Sequence, residues 1–133
     1  MRVVLDSNVI VSALSTEGLC NRIFEYCIVK KHTIVISKHI IKEVRSTLRD
    51  KFKVNDIAIS STIKFLQEWC ELDGHNKLSK RICRDADDDE IIALAKDNNV
   101  QYIITGDKDL LVLKKIDGIS IISPRELFTL MKY

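Results

Sequence analysis

Proline is nearly missing from this 133-residue sequence, with a single residue, and glycine is scarce, with four. Such a chain has little material for flexible linkers or low-complexity tracts. No apolar run approaches the roughly 20 residues that span a bilayer, so no transmembrane helix is expected. The opening MRVVLDSNVI reaches Asp6 too soon for the apolar core of a signal peptide. These absences predict a cytoplasmic protein with no membrane partner. Cys20 and Cys27 stand seven apart, and Cys70 and Cys83 are isolated. No CxxC and no Cys/His zinc spacing occurs, so all four read as core or semi-buried thiols. His32, His39 and His75 are scattered, and none is expected to ligate metal. Nucleophilic Cys or Ser–His chemistry and a Gly-rich phosphate loop have no carrier here.

Charge of one sign is not in excess: the net charge is +2. It is unevenly spread. From Lys30 to Lys53 eight Lys/Arg face Glu43 and Asp50, and from Arg84 to Asp109 three basic residues face eight acidic ones. That division hints at a polyanion held near an acidic, cation-binding pocket.

What is abundant is acid in one place. The stretch CRDADDDEIIALA, Cys83 to Ala95, carries Asp85, Asp87, Asp88, Asp89 and Glu90 ahead of an apolar helical pattern. A helix cap, with Asp87 or Asp88 in that role, accounts for about 1 kcal/mol and one or two carboxylates. Five are too many. A like-charged pair at 4 Å costs on the order of 4 kcal/mol at an effective dielectric near 20. An EF-hand loop starting at Asp85 is excluded, because Glu90 replaces its glycine and Lys96 its final glutamate.

The pattern along the chain alternates strands and helices. Strands are expected at Val3–Leu5, Thr33–Ser37, Tyr102–Thr105 and Ile119–Ile122. A helical region follows the first strand. Helices are expected from Leu19 to about Lys30, over KHIIKEVRSTL, from Asp56 to about Leu72, and from Asp88 to Lys96. Phe65, Trp69 and Tyr26 fall at helical core spacing. Asp73 to Arg81 reads as a polar connector, DLLVL as a short helical turn, and Ser123-Pro124-Arg125-Glu126 as a capping box. Near-continuous apolar strands separated by helices predict one α/β domain, residues 1–133, with a parallel sheet covered on both faces. Right-handed crossovers place the strand C-terminal ends on one edge, where such sheets bind ligands.

The acidic residues gather at that edge. Asp6 follows the first strand. Asp107 and Asp109 follow the third, after Thr105-Gly106. Asp88 or Asp89 opens a helix leading into the third strand, and Glu43 flanks an apolar helix face. Asp6 as a cap and Asp107 as an Asx turn are the structural explanations for each alone. Four carboxylates in one pocket cannot all ionise without a cation. Oxygen-only ligands select Mg2+ or Mn2+ over zinc, and such ions support in-line displacement at a phosphodiester. Lys38, Lys42, Arg45 and Arg49 share a helical stripe roughly 120° from Glu43, which reads as an RNA track or a solvated face.

DSNVIVSAL, the acid in IIKEV, DADDDEIIALA and IITGDKDLL, in that order, resemble the PIN-domain ribonucleases, especially their toxin–antitoxin branch. The resemblance covers essentially the whole chain. It implies a three-layer α/β/α sandwich with a mostly parallel sheet, and a metal-dependent endoribonuclease that hydrolyses RNA. It further implies the toxin of a toxin–antitoxin pair, a homodimer, and an antitoxin partner. By it, Asp6, Glu43, Asp89 and Asp107 are the acidic quartet holding Mg2+ or Mn2+. Asp89 is chosen because the family's Asp stands three residues before an aliphatic residue that begins the apolar face, here Ile92; Asp88 is the alternative. Asn8, Thr105 and Asp109 match supporting positions, and Ser7 stands where the family often has Thr. A non-catalytic RNA-binding or scaffold module is the competing class, and the intact quartet argues against it. A receiver domain lacks its paired acids at Asp6-Ser7 and its Lys at Ser123-Pro124, and a dehalogenase-type phosphatase lacks its second Asp at Asn8.

Overall fold

The computed structural model of the chain describes residues 1–74 and 85–131. Cys83, His75 and most of the expected connector lie outside them. β1 (Arg2–Leu5) carries Val3, Val4 and Leu5, three consecutive residues with no exposed surface. Successive strand side chains point to opposite faces, so both faces of the sheet are covered. α1 (Ser7–Ser15) and α2 (Leu19–Val29) lead to β2 (Thr33–Ile36). α3 (Lys38–Asp50) and α4 (Asp56–Trp69) lead to β3 (Glu71–Leu72). α5 (Ala86–Asp97), β4 (Tyr102–Ile104), α6 (Lys108–Leu111), β5 (Lys115–Ile116), β6 (Ile119–Ile122) and α7 (Pro124–Leu130) follow. The sheet order is β3-β2-β1-β4-β6-β5, parallel except for β5 against β6. This is the expected α/β/α class with a mostly parallel sheet.

β1 lies between β2 and β4, with Val3 opposite Ile34 and Val4 opposite Ile103. The chain therefore leaves β1 toward one side of the sheet and returns on the other. That reversal opens a crevice at the carboxyl ends of β1 and β4. Asp6 and Thr105 are the residues immediately beyond those two ends.

Four details differ from the expectation. α5 begins at Ala86 rather than Asp88, because Asp85 is its cap: Asp85 Oδ1 accepts from the Asp87 N–H at 2.9 Å. α4 ends at Trp69, and Glu71–Leu72 adds a short strand beside β2. Asp117 and Gly118, at φ 47° and 83°, form a two-residue turn that folds β5 back on β6. Positive φ at both positions is what such a hairpin turn requires. Trp69 is 54% exposed and Phe65 37%, while Ile59, Ile63 and Leu66 are buried. Trp69 lies off the stripe those three define, against Phe65 with ring centroids 6.3 Å apart. The α3 cations Lys38, Lys42, Arg45 and Arg49 are all exposed, and Arg49 pairs with Asp50.

Candidate metal centre

Asp6 is where β1 stops and α1 starts. As the N-cap of α1 it accepts at Oδ1 from the Ser7 N–H, 2.7 Å away. Its Oδ2 accepts from Thr105 Oγ1 at 2.7 Å, across the crevice between β1 and β4. Thr105 is fully buried, and its Oγ1 also accepts from the Asp107 N–H at 3.0 Å. One hydroxyl thus couples both acidic loops. Asp107 in turn caps α6, its Oδ1 accepting from the Asp109 N–H at 2.8 Å. Burial raises the Asp6 pKa above the usual carboxylate range, against the lowering effect of the Thr105 and Ser7 hydrogen bonds.

Thr105→Val keeps the shape of this linkage and removes its hydroxyl. The variant is expected to lose about 1–3 kcal/mol in denaturant unfolding, because Asp6 Oδ2 is left buried with one partner fewer. Thr105→Ser is expected to lose less than half as much.

The acidic run divides into separate tasks. Asp85 caps the helix. Asp88 is only 4% exposed. Burial, then the charges of Asp107, Asp85 and Asp6, push its pKa up to about 7. One oxygen each from Asp88, Asp107 and Asp109 lie within 4.8 Å of one another. Asp89, the expected quartet member, is half-buried and stands outside that group. The helix explains the difference. Asp88, Ile91, Ile92 and Ala95 follow the i, i+3, i+4, i+7 rhythm of one face, and all four are buried. Asp89 is rotated about 100° from that stripe.

Glu43 reaches the same region from α3. Burial, then the charges of Asp87, Asp6 and Asp85, push its pKa up to about 7. A second ligand group lies here, formed by Glu43, Asp87 and His39. His39 Nε2 lies 3.1 Å from Asp87 Oδ1 and 3.6 Å from Glu43 Oε1. Neither His39 nor Asp87 was expected at the site. The available signal was spacing: His39 precedes Glu43 by one helical turn. Of the supporting residues, Ser7, Thr105 and Asp109 are in the linkage described above, while Asn8 is exposed on the first turn of α1.

The donors suit a divalent cation. Asp88 Oδ2 is a buried carboxylate oxygen with no hydrogen-bond partner among the described residues, and Glu43 Oε1 shares that condition. Buried unpaired acceptors are costly, and a cation bound at either oxygen removes that cost. It also offsets the repulsion that raises both pKa values.

The sequence matches the family model described as PIN domain over residues 2–109. No curated protein matches it. Among solved structures, a chain of VapBC2 from Rickettsia felis, bound to a DNA fragment from their promoter, superposes with a TM-score of 0.65. The match is 16% identical and covers 92% of this chain and 98% of that one. The PIN domain endonuclease Utp24 superposes with a TM-score of 0.55 at 21% identity, over 92% of this chain and 84% of that one. At these identities the likeness is one of fold. Among the described residues, no helix is long and apolar enough to cross a membrane.

Proposed function

The chain belongs to the PIN domain family, and from that premise we propose that it is a metal-dependent endoribonuclease, the toxin of a toxin–antitoxin pair. Asp6, Glu43, Asp88 and Asp107 form its acidic quartet, with Asp88, the alternative to Asp89, in the position that the family resemblance assigned to Asp89. The observation that carries the reading is the meeting of these carboxylates, from four separate segments, at the crevice between β1 and β4 around partnerless buried oxygens. Mg2+ or Mn2+ held there supplies the positive charge that offsets the carboxylates and stabilises a phosphodiester's leaving oxygen.

The protein's own residues keep that centre in place. Ser7 N–H and Thr105 Oγ1 fix the Asp6 carboxylate at both oxygens, leaving its remaining lone pairs directed. The Asp109 N–H does the same for Asp107. Burial of Asp88 and Thr105 keeps competing water away from the floor of the site. Preorganisation of this kind is where enzymes that transfer or hydrolyse phosphoryl groups gain most of their rate.

Fold likeness to the VapBC2 chain is in keeping with the toxin reading and an antitoxin partner, and cytoplasmic residence belongs to the same proposal. A homodimer belongs to the same reading. The test is incubation of the protein with a pool of single-stranded and structured RNA, beside the matching DNA. Internal RNA cuts that appear with Mn2+ or Mg2+ and vanish with EDTA are expected. RNA binding that persists in EDTA, with no cutting under either metal, would instead make the chain a binding module.

A further inference from the structure

An acidic centre that cuts a polyanion repels every phosphate flanking the cut, unless fixed cations stand nearby. We propose that Lys38, Lys42, Arg45 and Arg49 on α3 form a phosphate track that holds one strand of RNA beside the centre. The inference rests on the reading above for its substrate, RNA, and on nothing about the number or identity of the metal ions.

Three observations converge. First, the four side chains form one row. Their spacing of four, three and four residues keeps them within about 60° of helical arc, along about 16 Å of axis. All four are exposed, on a flank away from the buried Ile40, Ile41, Val44 and Leu48. Second, the helix itself gains nothing from the row. Lys38 stands in a first turn that holds no acidic residue, at the positive end of the helix dipole. Lys38 with Lys42, and Arg45 with Arg49, are like charges four residues apart, a spacing that opposes helix formation. The acids of α3 are Glu43 and Asp50. Glu43 is turned toward His39 and Asp87, and Asp50 pairs with Arg49. Among the described residues, none of Lys38, Lys42 and Arg45 is in an ion pair. A charged face that served the fold alone would be laced with opposite charges at these spacings. Third, the row begins at the centre. Lys38 precedes His39, whose Nε2 lies 3.1 Å from Asp87 Oδ1 and 3.6 Å from Glu43 Oε1. Lys38 and His39 both line a cavity of about 460 Å3 at the head of the row.

The geometry sets what the track holds. Glu43 lies roughly 120° round the helix from the row, so the cations reach nucleotides flanking the cut and not the scissile phosphate. A single row on the convex face of one helix follows one backbone. Its contacts go to phosphate oxygens, which fix position and carry no sequence information. The track therefore raises affinity and sets register without choosing a base. It binds substrate and transition state alike, so its loss falls on KM and spares kcat. Each phosphate it neutralises releases counterions and adds about −0.7 to the salt slope of single-strand binding.

The experiment is an anisotropy titration of a short labelled single-stranded RNA by the full chain in EDTA, between about 50 and 200 mM KCl. Lys42→Gln with Arg45→Gln should make the slope of log K on log salt shallower by about 1.4 and weaken low-salt binding about tenfold or more. Lys114→Gln with Lys115→Gln removes the same charge at the β5 edge, the far side of the sheet from β2, and should change neither. With Mn2+ present, the α3 pair should raise KM about tenfold or more and leave kcat within about twofold. In the wild type, bound RNA should shield Lys38 and Lys42, and not Lys114 and Lys115, from an amine-acetylating reagent. This readout uses the unmutated protein, so it stands even where a variant folds poorly. An unaltered salt slope, an equal loss in the β5-edge variant, or no shielding of Lys38 and Lys42 overturns the inference. Cutting with KM unmoved removes the track and leaves the nuclease reading. RNA held by this row but cut under neither metal removes the nuclease reading and leaves the track.

Discussion

Asp88→Asn is expected to lower the metal-dependent cleavage rate by about 100-fold or more, while Asp89→Asn keeps it within about threefold. Metal-centred charge stabilisation at a phosphodiester is worth several kcal/mol, and each 1.36 kcal/mol is tenfold in rate. Asp88 is the buried member of the run, with Asp107 the first of its charged neighbours. Asp89 lies one residue, and about 100° of helix, away. Both substitutions are isosteric, both remove one charge, and both sit in the first turn of α5. Their effects on the helix dipole are therefore matched, and a rate difference between them reports the site alone. Equal losses would show that the cut depends on the charge of the run and not on the Asp88 position.

The same carboxylates govern stability. In metal-free protein, Glu43 and Asp88 titrate near pH 7, against ordinary values of 4.5 and 3.8. Between pH about 4 and 7 the folded chain thus binds protons that the unfolded chain has released. Stability then falls as pH rises through that window, because the slope follows the difference in bound protons. With EDTA present, denaturant unfolding is expected to show the wild type weaker at pH 8 than at pH 5.5, on the order of 3 kcal/mol for the two groups together. Asp88→Asn should flatten much of that slope and be more stable than wild type at pH 8. Saturating Mn2+ should reverse the order at pH 8, since a cation that binds only the folded wild type stabilises it. A wild type equally stable at both pH values, with no gain from Asp88→Asn, would contradict the raised pKa values.

Much of this site was legible because its residues sit at grammatical boundaries of the sequence. Asp6 ends the run VVL, Thr105 to Asp107 end YII, and Glu43 flanks the stripe of Ile40, Ile41, Val44 and Leu48. A parallel sheet then gathers those boundaries on one edge. The choice within the acidic run was harder. Asp88 and Asp89 each precede an isoleucine by three residues, and only the continuation to Ala95 separates the two stripes. His39 carries no signal in the spacing of histidines and cysteines, because its neighbour one turn on is a glutamate.

Local signals also had limits in the fold. β3 and β5 have two residues each, too few for any periodicity. The hairpin at Asp117-Gly118 did carry a turn signature. Trp69 shows the opposite limit. Helical spacing alone suggested the core, but the buried stripe of α4 runs through Ile59, Ile63 and Leu66 and leaves the indole outside.

One measurement bears most directly on the central claim, that the carboxylates at the crevice between β1 and β4 make this PIN domain a metal-dependent ribonuclease. It is single-turnover cleavage of one RNA by the wild type and by Asp6→Asn, each with Mn2+ and with excess EDTA. The expected result is internal cutting by the wild type with Mn2+, and none in the other three arms. Equal cutting by Asp6→Asn, or cutting that survives EDTA, would contradict it.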